Sequence, residues 1–415
     1  MTARPPPYAR VLRGREKYLL RTRIAEPLLG RTIGRAGDAW RSLRHGPVPL
    51  DATPPERLLV VHRIRIGDAI VITPLLRALR ARFPSTEVVL VVSPVVADLM
   101  ERAEGVDRVV PFTPVPGEGT RRAAARAAAL VGPAGQACMA FVLDFTRLSV
   151  AIARKAGAGV RVGYDDHGRG FDLTHTLPWP VEWARATADY PVGTEPRHQA
   201  EHWLALGALV GAEVTDAQPR LRVDRSAEWE KLLPGAGFSG GDRVVVVHPG
   251  SDSSYRWRSE RWAEVANSLA TRHGLRVVIS GGPEDASVLD AMRARLAQKA
   301  PDLLHAGLVT ALDVAARAVL VLSVDTCMAH IASAAGTPAV VLSGPADPRM
   351  WRPYGPQHIV VSDPEARCGG CKLPRCPIRE HLCMDGISTA EVLAAAERIL
   401  GAGIVGKTGS RPDEA

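Results

Sequence analysis

Apolar and polar positions along the chain fall into a repeating series. Beyond a proline-rich stretch, "PVPLDATPPE" (47–56), the run "RLLVVHRIRI" reads as a buried strand and "AIVITPLLRALRARF" as the helix that follows. "EVVLVVSP" is a second strand, followed by a helix through "VVADLMERAEG". "VDRVVPF" is a third strand, "GTRRAAARAAALVG" a helix and "ACMAFVLDF" a fourth strand. These strands are continuously apolar and do not alternate, the mark of a parallel sheet covered on both faces. The order blurs from about 163 to 222, where only the helix "PRHQAEHWLALGALVGA" is clear. A turn-rich joint, "PGAGFSGGD" (234–242), opens a second series. There "RVVVVHP" is a strand, "SERWAEVANSLATRHG" a helix, "LRVVISGG" a strand and "EDASVLDAMRARLAQKA" a helix. After "ALDVAARA" come strand "VLVLSVD", helix "TCMAHIASAAG" and strand "PAVVLSG".

The two halves open alike. "LLVVHR" (58–63) and "VVVVHP" (244–249) are each an apolar strand ending in His and entering a polar loop. The pattern predicts an α/β protein of two similar doubly wound halves. The expected divisions are a basic arm and linker over 1–55, one domain over 56–233, a second over 234–400 and a disordered tail over 401–415. Ligands of such sheets sit at the carboxyl ends of the strands, which makes a cleft between the halves the expected active site.

Charge sharpens this division. The net charge of +8 resides in residues 1–46, with eleven Lys/Arg against three Asp/Glu, and the rest of the chain is balanced. A balanced body argues against a nucleic-acid groove. The arm mixes Leu19, Leu20, Leu28, Leu29, Ile33, Trp40 and Leu43 with arginines. It lacks the unbroken apolar core of a signal peptide and is too polar to span a bilayer. It is either a basic segment lying on an anionic membrane surface or an extension whose arginines are solvated. The body is expected in the cytoplasm, on or near the inner membrane.

Four of the six cysteines, Cys368, Cys371, Cys376 and Cys383, crowd into one segment with His381 among them. The spacing suits a structural zinc clip, reduced thiols in a tight loop, or disulfides.

No GxGxxG fingerprint and no P-loop lysine motif is present, which counts against a dehydrogenase or an NTPase. Three strand-end loops carry the candidate chemistry. In "HPGSDSSYRW", Ser251, Ser254 and Arg256 either seat a phosphate or form an ordinary capped turn. In "SVDTCMAHIASAAGTP", Asp325 ends a strand, Thr326 occupies an N-cap position and His330 lies one turn on. These residues and the helix's positive end suit a diphosphate, or else they only cap the helix. In "RIRIGDAIVITP", Asp68 is either a helix cap or a general base. The apolar run after Asp68 raises its pKa, whereas Arg63 and Arg65 lower it.

Together and in this order, "RIGDAIVITPLLRALRARFP", "RHQAEHWLALGALVGA", "HPGSDSSYRWRSERWAEVANSLA", "SGGPED" and "SVDTCMAHIASAAGTPAVVLSGPADPRMWRPYG" resemble glycosyltransferase family 9. Its members include the ADP-heptose-dependent heptosyltransferases of lipopolysaccharide core assembly. The resemblance covers about 57–400. It implies a GT-B architecture, two Rossmann-like domains with parallel sheets facing a central cleft. It implies an inverting transfer from a nucleotide-sugar donor to a lipid-linked saccharide acceptor, with no obligatory metal.

Residue by residue, the resemblance implies that Asp68 is the catalytic base. Asp325, Thr326 and His330 correspond to the donor loop, and Glu284 or Asp285 to the acidic residue that holds the ribose. Arg63, Arg65 and Gly67 fall on the acceptor side, the arginines either pointing into the cleft to hold anionic groups or lying along the sheet as solvated neighbours. Two positions depart from the family's pattern. Tyr255 stands where a lysine is usual, with Arg256 beside it, and Cys327 stands where the donor loop has glycine.

Overall fold

The computed structural model describes residues 54–402 except 133–137, 145, 166–171, 179, 181–195, 215, 251–255, 367–370, 372–375 and 377–381. The basic arm, Ser251, Ser254, Tyr255, Cys368 and His381 therefore lie outside the described residues. The chain forms two compact units that divide between Arg222 and Val223.

The first unit is built on six parallel strands: β1 (Arg57–His62), β2 (Glu87–Val92), β3 (Arg108–Pro111), β4 (Cys138–Val142), β5 (Val160–Asp165) and β6 (His175–Pro178). Their order is β3-β2-β1-β4-β5-β6. Central β1 places Leu59 opposite Val89 on one side and Ala140 on the other. Its residues from Leu58 to His62 are buried, as a largely apolar run between two helical layers must be. The longer helices, among the described residues, are α1 (Ile66–Val71), α2 (Thr73–Arg82), α3 (Thr120–Val131), α4 (Arg147–Lys155) and α5 (Gln199–Ala208).

Two details differ from the sequence expectation. The strand stops at His62, not at Ile66, because the backbone N–H of Arg63 donates to the Asp144 side chain and leaves the ladder. The single helix expected over 69–83 is two helices that part at Ile72, with Pro74 in the first turn of the second. Proline has no N–H to continue a helix but tolerates its first turn. Strands β5 and β6 lie where the pattern blurred. Arg161 interrupts the apolar run of β5 and ties it locally, donating to the carbonyls of Asp172 and Ala158 at 2.5 Å each.

The second unit has five parallel strands: β7 (Val244–His248), β8 (Arg276–Ile279), β9 (Leu320–Val324), β10 (Ala339–Leu342) and β11 (Ile359–Val361), in the order β11-β10-β9-β7-β8. Its longer helices, among the described residues, are α6 (Ser259–His273), α7 (Ala286–Arg293), α8 (Leu308–Arg317), α9 (Cys327–Ala335) and α10 (Thr389–Gly401). Trp257 and Trp262 meet edge to face at 4.9 Å in its core, and Trp257 Nε1 donates to the Ile387 carbonyl. Small residues keep α9 slim, and its residues from Met328 to Ala335 are all buried. Gly336 closes it at φ 73°, a left-handed conformation that favours glycine.

In each sheet the winding reverses beside the first strand, between β1 and β4 and between β7 and β9. Such switch points open crevices at the carboxyl ends of the strands. No described helix is long and apolar enough to cross a membrane.

Candidate active site

At the switch point of the first unit, β1 delivers His62 and then a three-residue turn. Arg63 is folded back across the sheet. Its Nε donates to Ser149 Oγ at 3.2 Å and its Nη2 to Thr146 Oγ1 at 3.1 Å, with Asp144 Oδ2 3.7 Å from Nε. Asp144 is buried and also accepts from the Thr146 N–H and hydroxyl and from the Ser149 hydroxyl. The Arg63 side chain is only 9% exposed. Arg63 is thus a buried partner of Asp144, Thr146 and Ser149, not a solvated neighbour along the sheet. Arg65 remains exposed at the position before α1.

Asp68 is the third residue of α1, not its cap. Only 8% of it is exposed, and no hydrogen bond to its carboxylate occurs among the described residues. Burial lifts its pKa to about 6, with the Arg65 charge opposing. Of the two opposing effects read from sequence, desolvation wins, because Arg63 is spent on Asp144 and Arg65 faces solvent. Gly67 precedes Asp68 within the same turn. Below lies His62, fully buried and edge-on to Trp203 of α5 at 5.9 Å, its pKa depressed to about 4 by burial although Asp144 opposes.

In the second unit, three strand-end segments converge, those after β7, β8 and β9. His248 ends β7, and its Nδ1 is 3.0 Å from Ser280 Oγ, just past β8. Ser280 Oγ lies 3.8 Å from the Met328 sulfur in the first turn of α9. The turn after β8 carries Glu284, exposed, and Asp285, 4% exposed. Asp285 Oδ2 accepts from the Gly282 N–H at 3.0 Å, while Oδ1 is buried without a partner. This carboxylate lies so close to Gly250 that a Cβ there would fall 2.1 Å from Oδ2. Residue 250 is glycine for lack of room.

Thr326 stands at the N-cap position of α9 in extended conformation, yet its side chain makes no cap. Its hydroxyl turns instead to Ser323 Oγ at 3.2 Å. Cys327 follows, half-buried, with its sulfur near the backbone N–H groups of Met328 and its own residue. Burial pushes this thiol up to about 11; Asp285 and Glu284 push the same way and the N–H groups oppose. His330 is buried one turn along, and the Asp325 N–H donates to the Leu342 carbonyl. Arg256 is exposed beside buried Trp257. His248, Ser280 and Asp144 were not read as site residues. The sequence signal for His248 was the His that ends the first strand of each half.

Cys383 is buried in the second core, and Cys371 and Cys376 pack against it. Among the described residues no group of three or more His, Cys, Asp or Glu is placed to hold a metal ion.

The profile of glycosyltransferase family 9 (heptosyltransferase) matches residues 139–380, more than half of the chain. Lipopolysaccharide heptosyltransferase 3 of Escherichia coli is 29% identical over 181 residues, 42% of this chain and 52% of that one. Its namesake from strain K12 is 32% identical over 186 residues, 41% and 51% of the two chains. The chain thus spans about half the length of the curated relatives it matches. A solved glycosyl transferase family 9 structure from Veillonella parvula DSM 2008 superposes with TM-score 0.68 at 21% identity, covering 84% of this chain and 97% of that one. E. coli ADP-heptose lipopolysaccharide heptosyltransferase II gives TM-score 0.67 at 20% identity, covering 83% and 99%. At these identities the likeness is one of fold, the GT-B fold with two Rossmann-like domains.

Proposed function

Since the chain belongs to glycosyltransferase family 9 (heptosyltransferase), we propose that it is an inverting transferase moving heptose from ADP-heptose onto a lipopolysaccharide-core or related lipid-linked saccharide. The observation that carries this reading is Asp68: a buried carboxylate without a hydrogen-bond partner among the described residues, at a strand-end switch point, with a pKa of about 6.

A sugar hydroxyl is a poor nucleophile near neutral pH. Asp68, ionised above its pKa, takes the hydroxyl proton as the oxygen bonds to the anomeric carbon. The bond from that carbon to the diphosphate breaks on the opposite face, which inverts the centre. Charge gathers on the leaving diphosphate. The positive end of α9, the Thr326 hydroxyl and Arg256 offset that charge, and Asp285 or Glu284 accepts from the ribose. Arg65 and Gly67 remain candidates for the acceptor side, and Ser251 and Ser254 for the donor side. The basic arm would hold the protein on the anionic cytoplasmic face of the inner membrane. A zinc assay tests a structural role for the Cys368, Cys371, Cys376 and Cys383 set.

The test is transfer to purified core saccharide, with donor choice read by thermal shift using ADP-, GDP-, UDP- and dTDP-linked sugars side by side. A shift with another base and none with ADP overturns the ADP-heptose donor. One observation favours a second reading, a catalytically weak nucleotide-sugar-binding protein of the same fold. The Cys327 side chain occupies the first turn of α9, where a diphosphate would approach. Donor binding without transfer to any envelope saccharide would select it.

A further inference from the structure

Three polar groups at the strand ends of the second unit share one property. Asp285 Oδ1 is buried and takes no hydrogen bond. Glu284 beside it is an exposed carboxylate that acts electrostatically on His248. His248 itself is 7% exposed, and its Nδ1 is spent on Ser280.

The partners assign the tautomer. The Ser280 hydroxyl donates to the Met328 sulfur at 3.8 Å, an atom that can only accept. Ser280 Oγ then accepts from Nδ1–H of His248, and Nε2 keeps its lone pair. No partner for Nε2 occurs among the described residues. Burial holds the ring neutral, with its pKa lowered to about 4.

Asp285 Oδ1, the Glu284 carboxylate and His248 Nε2 are therefore all acceptors. An acceptor-only cluster repels an anion and suits a ligand rich in O–H donors. A buried carboxylate oxygen without a donor is destabilising, and a ligand hydroxyl removes that cost. The first turn of α9 lies alongside, through Met328, and favours negative charge. Sugar hydroxyls next to a phosphate satisfy both demands.

We propose that His248 is a specificity-determining residue for the donor, its Nε2 accepting a ribose hydroxyl beside Asp285 and so selecting ribonucleotides over deoxyribonucleotides. This rests on the nucleotide-sugar reading of the second unit. Ser280 is the positioning residue that sets the ring.

The test is calorimetric titration of the full chain with ADP, GDP and UDP and with their 2′-deoxy and 3′-deoxy counterparts. The wild type prefers its best ribonucleotide over at least one deoxy form by about five- to tenfold, the worth of one hydrogen bond. His248→Phe lowers that ratio to below about twofold, and His248→Gln, which keeps an acceptor near Nε2, restores most of it. Ser280→Ala lowers it too and carries the test if His248→Phe does not fold. Full discrimination retained in His248→Phe or Ser280→Ala overturns the inference while leaving the donor reading intact. Absence of binding by all the nucleotides overturns both.

Discussion

The carboxyl ends of β1 and β7 invite comparison. Both are apolar runs that end in a buried His, and both His residues are held neutral by burial, with pKa about 4. Both stand at the switch point of a parallel sheet. The next residues diverge. After β1 the polar groups close on one another: Asp144, Thr146, Ser149 and Arg63 form a network, and one carboxylate, Asp68, is left over. After β7 the polar groups stay open as acceptors around Gly250. The same topology thus supports two chemistries. A lone desolvated carboxylate suits removal of a proton, and an open acceptor set beside a helix N-terminus suits holding a phosphorylated sugar.

The comparison breaks most sharply at Asp68. Asp68→Asn should cut transfer by about 10²–10⁴-fold with donor affinity unchanged by calorimetry. Loss of donor binding in parallel would place Asp68 with the nucleotide instead. For the wild type, the turnover rate should rise as pH passes upward through about 6, where Asp68 ionises.

Next in size is the closed network. Asp144→Ala leaves Arg63 buried without its counter-charge and should destabilise the protein by about 3–5 kcal/mol in urea. A loss below about 1 kcal/mol would mean that the network is not closed.

The third prediction runs the other way. The Asp68 pKa is raised from 3.8 to about 6 in the folded state. Its contribution to stability is present below pH 4 and lost as pH rises through 6. Asp68→Asn should therefore raise stability at pH 8 by up to about 3 kcal/mol, with no gain at pH 3.5. Equal melting of the two proteins at pH 8 would deny the desolvation.

The smallest effect concerns the open side. Cys327→Gly clears the first turn of α9 and should tighten nucleotide diphosphate binding by about two- to fivefold. Weaker binding would show that the thiol helps to hold the ligand.

The layers of the fold were legible because parallel strands buried on both faces must be continuous apolar runs, as in β1, β2, β7 and β9. The turn after β1 was not. "RIRI" has the period of a strand, and only the Asp144 side chain, 81 positions away, takes the Arg63 N–H out of the ladder. Pro74 was a readable sign of the break at Ile72. β5 escaped because Arg161 and Gly163 dilute its pattern. Asp68, Asp325, Thr326 and His330 stood out from local motifs. His248, Ser280 and Asp144 did not, since their roles depend on neighbours brought together by strand pairing. The reach of Arg63 was undecidable from sequence for the same reason.

The contact of Gly250 with Asp285 has an evolutionary corollary. The two positions lie 35 residues apart and share a single volume, so residue 250 cannot enlarge alone. A side chain at 250 has no room until 285 has shortened, whereas shortening 285 only opens space beside glycine. Substitutions at this pair are thus ordered in time, and randomised libraries aimed at a new donor should vary both codons together.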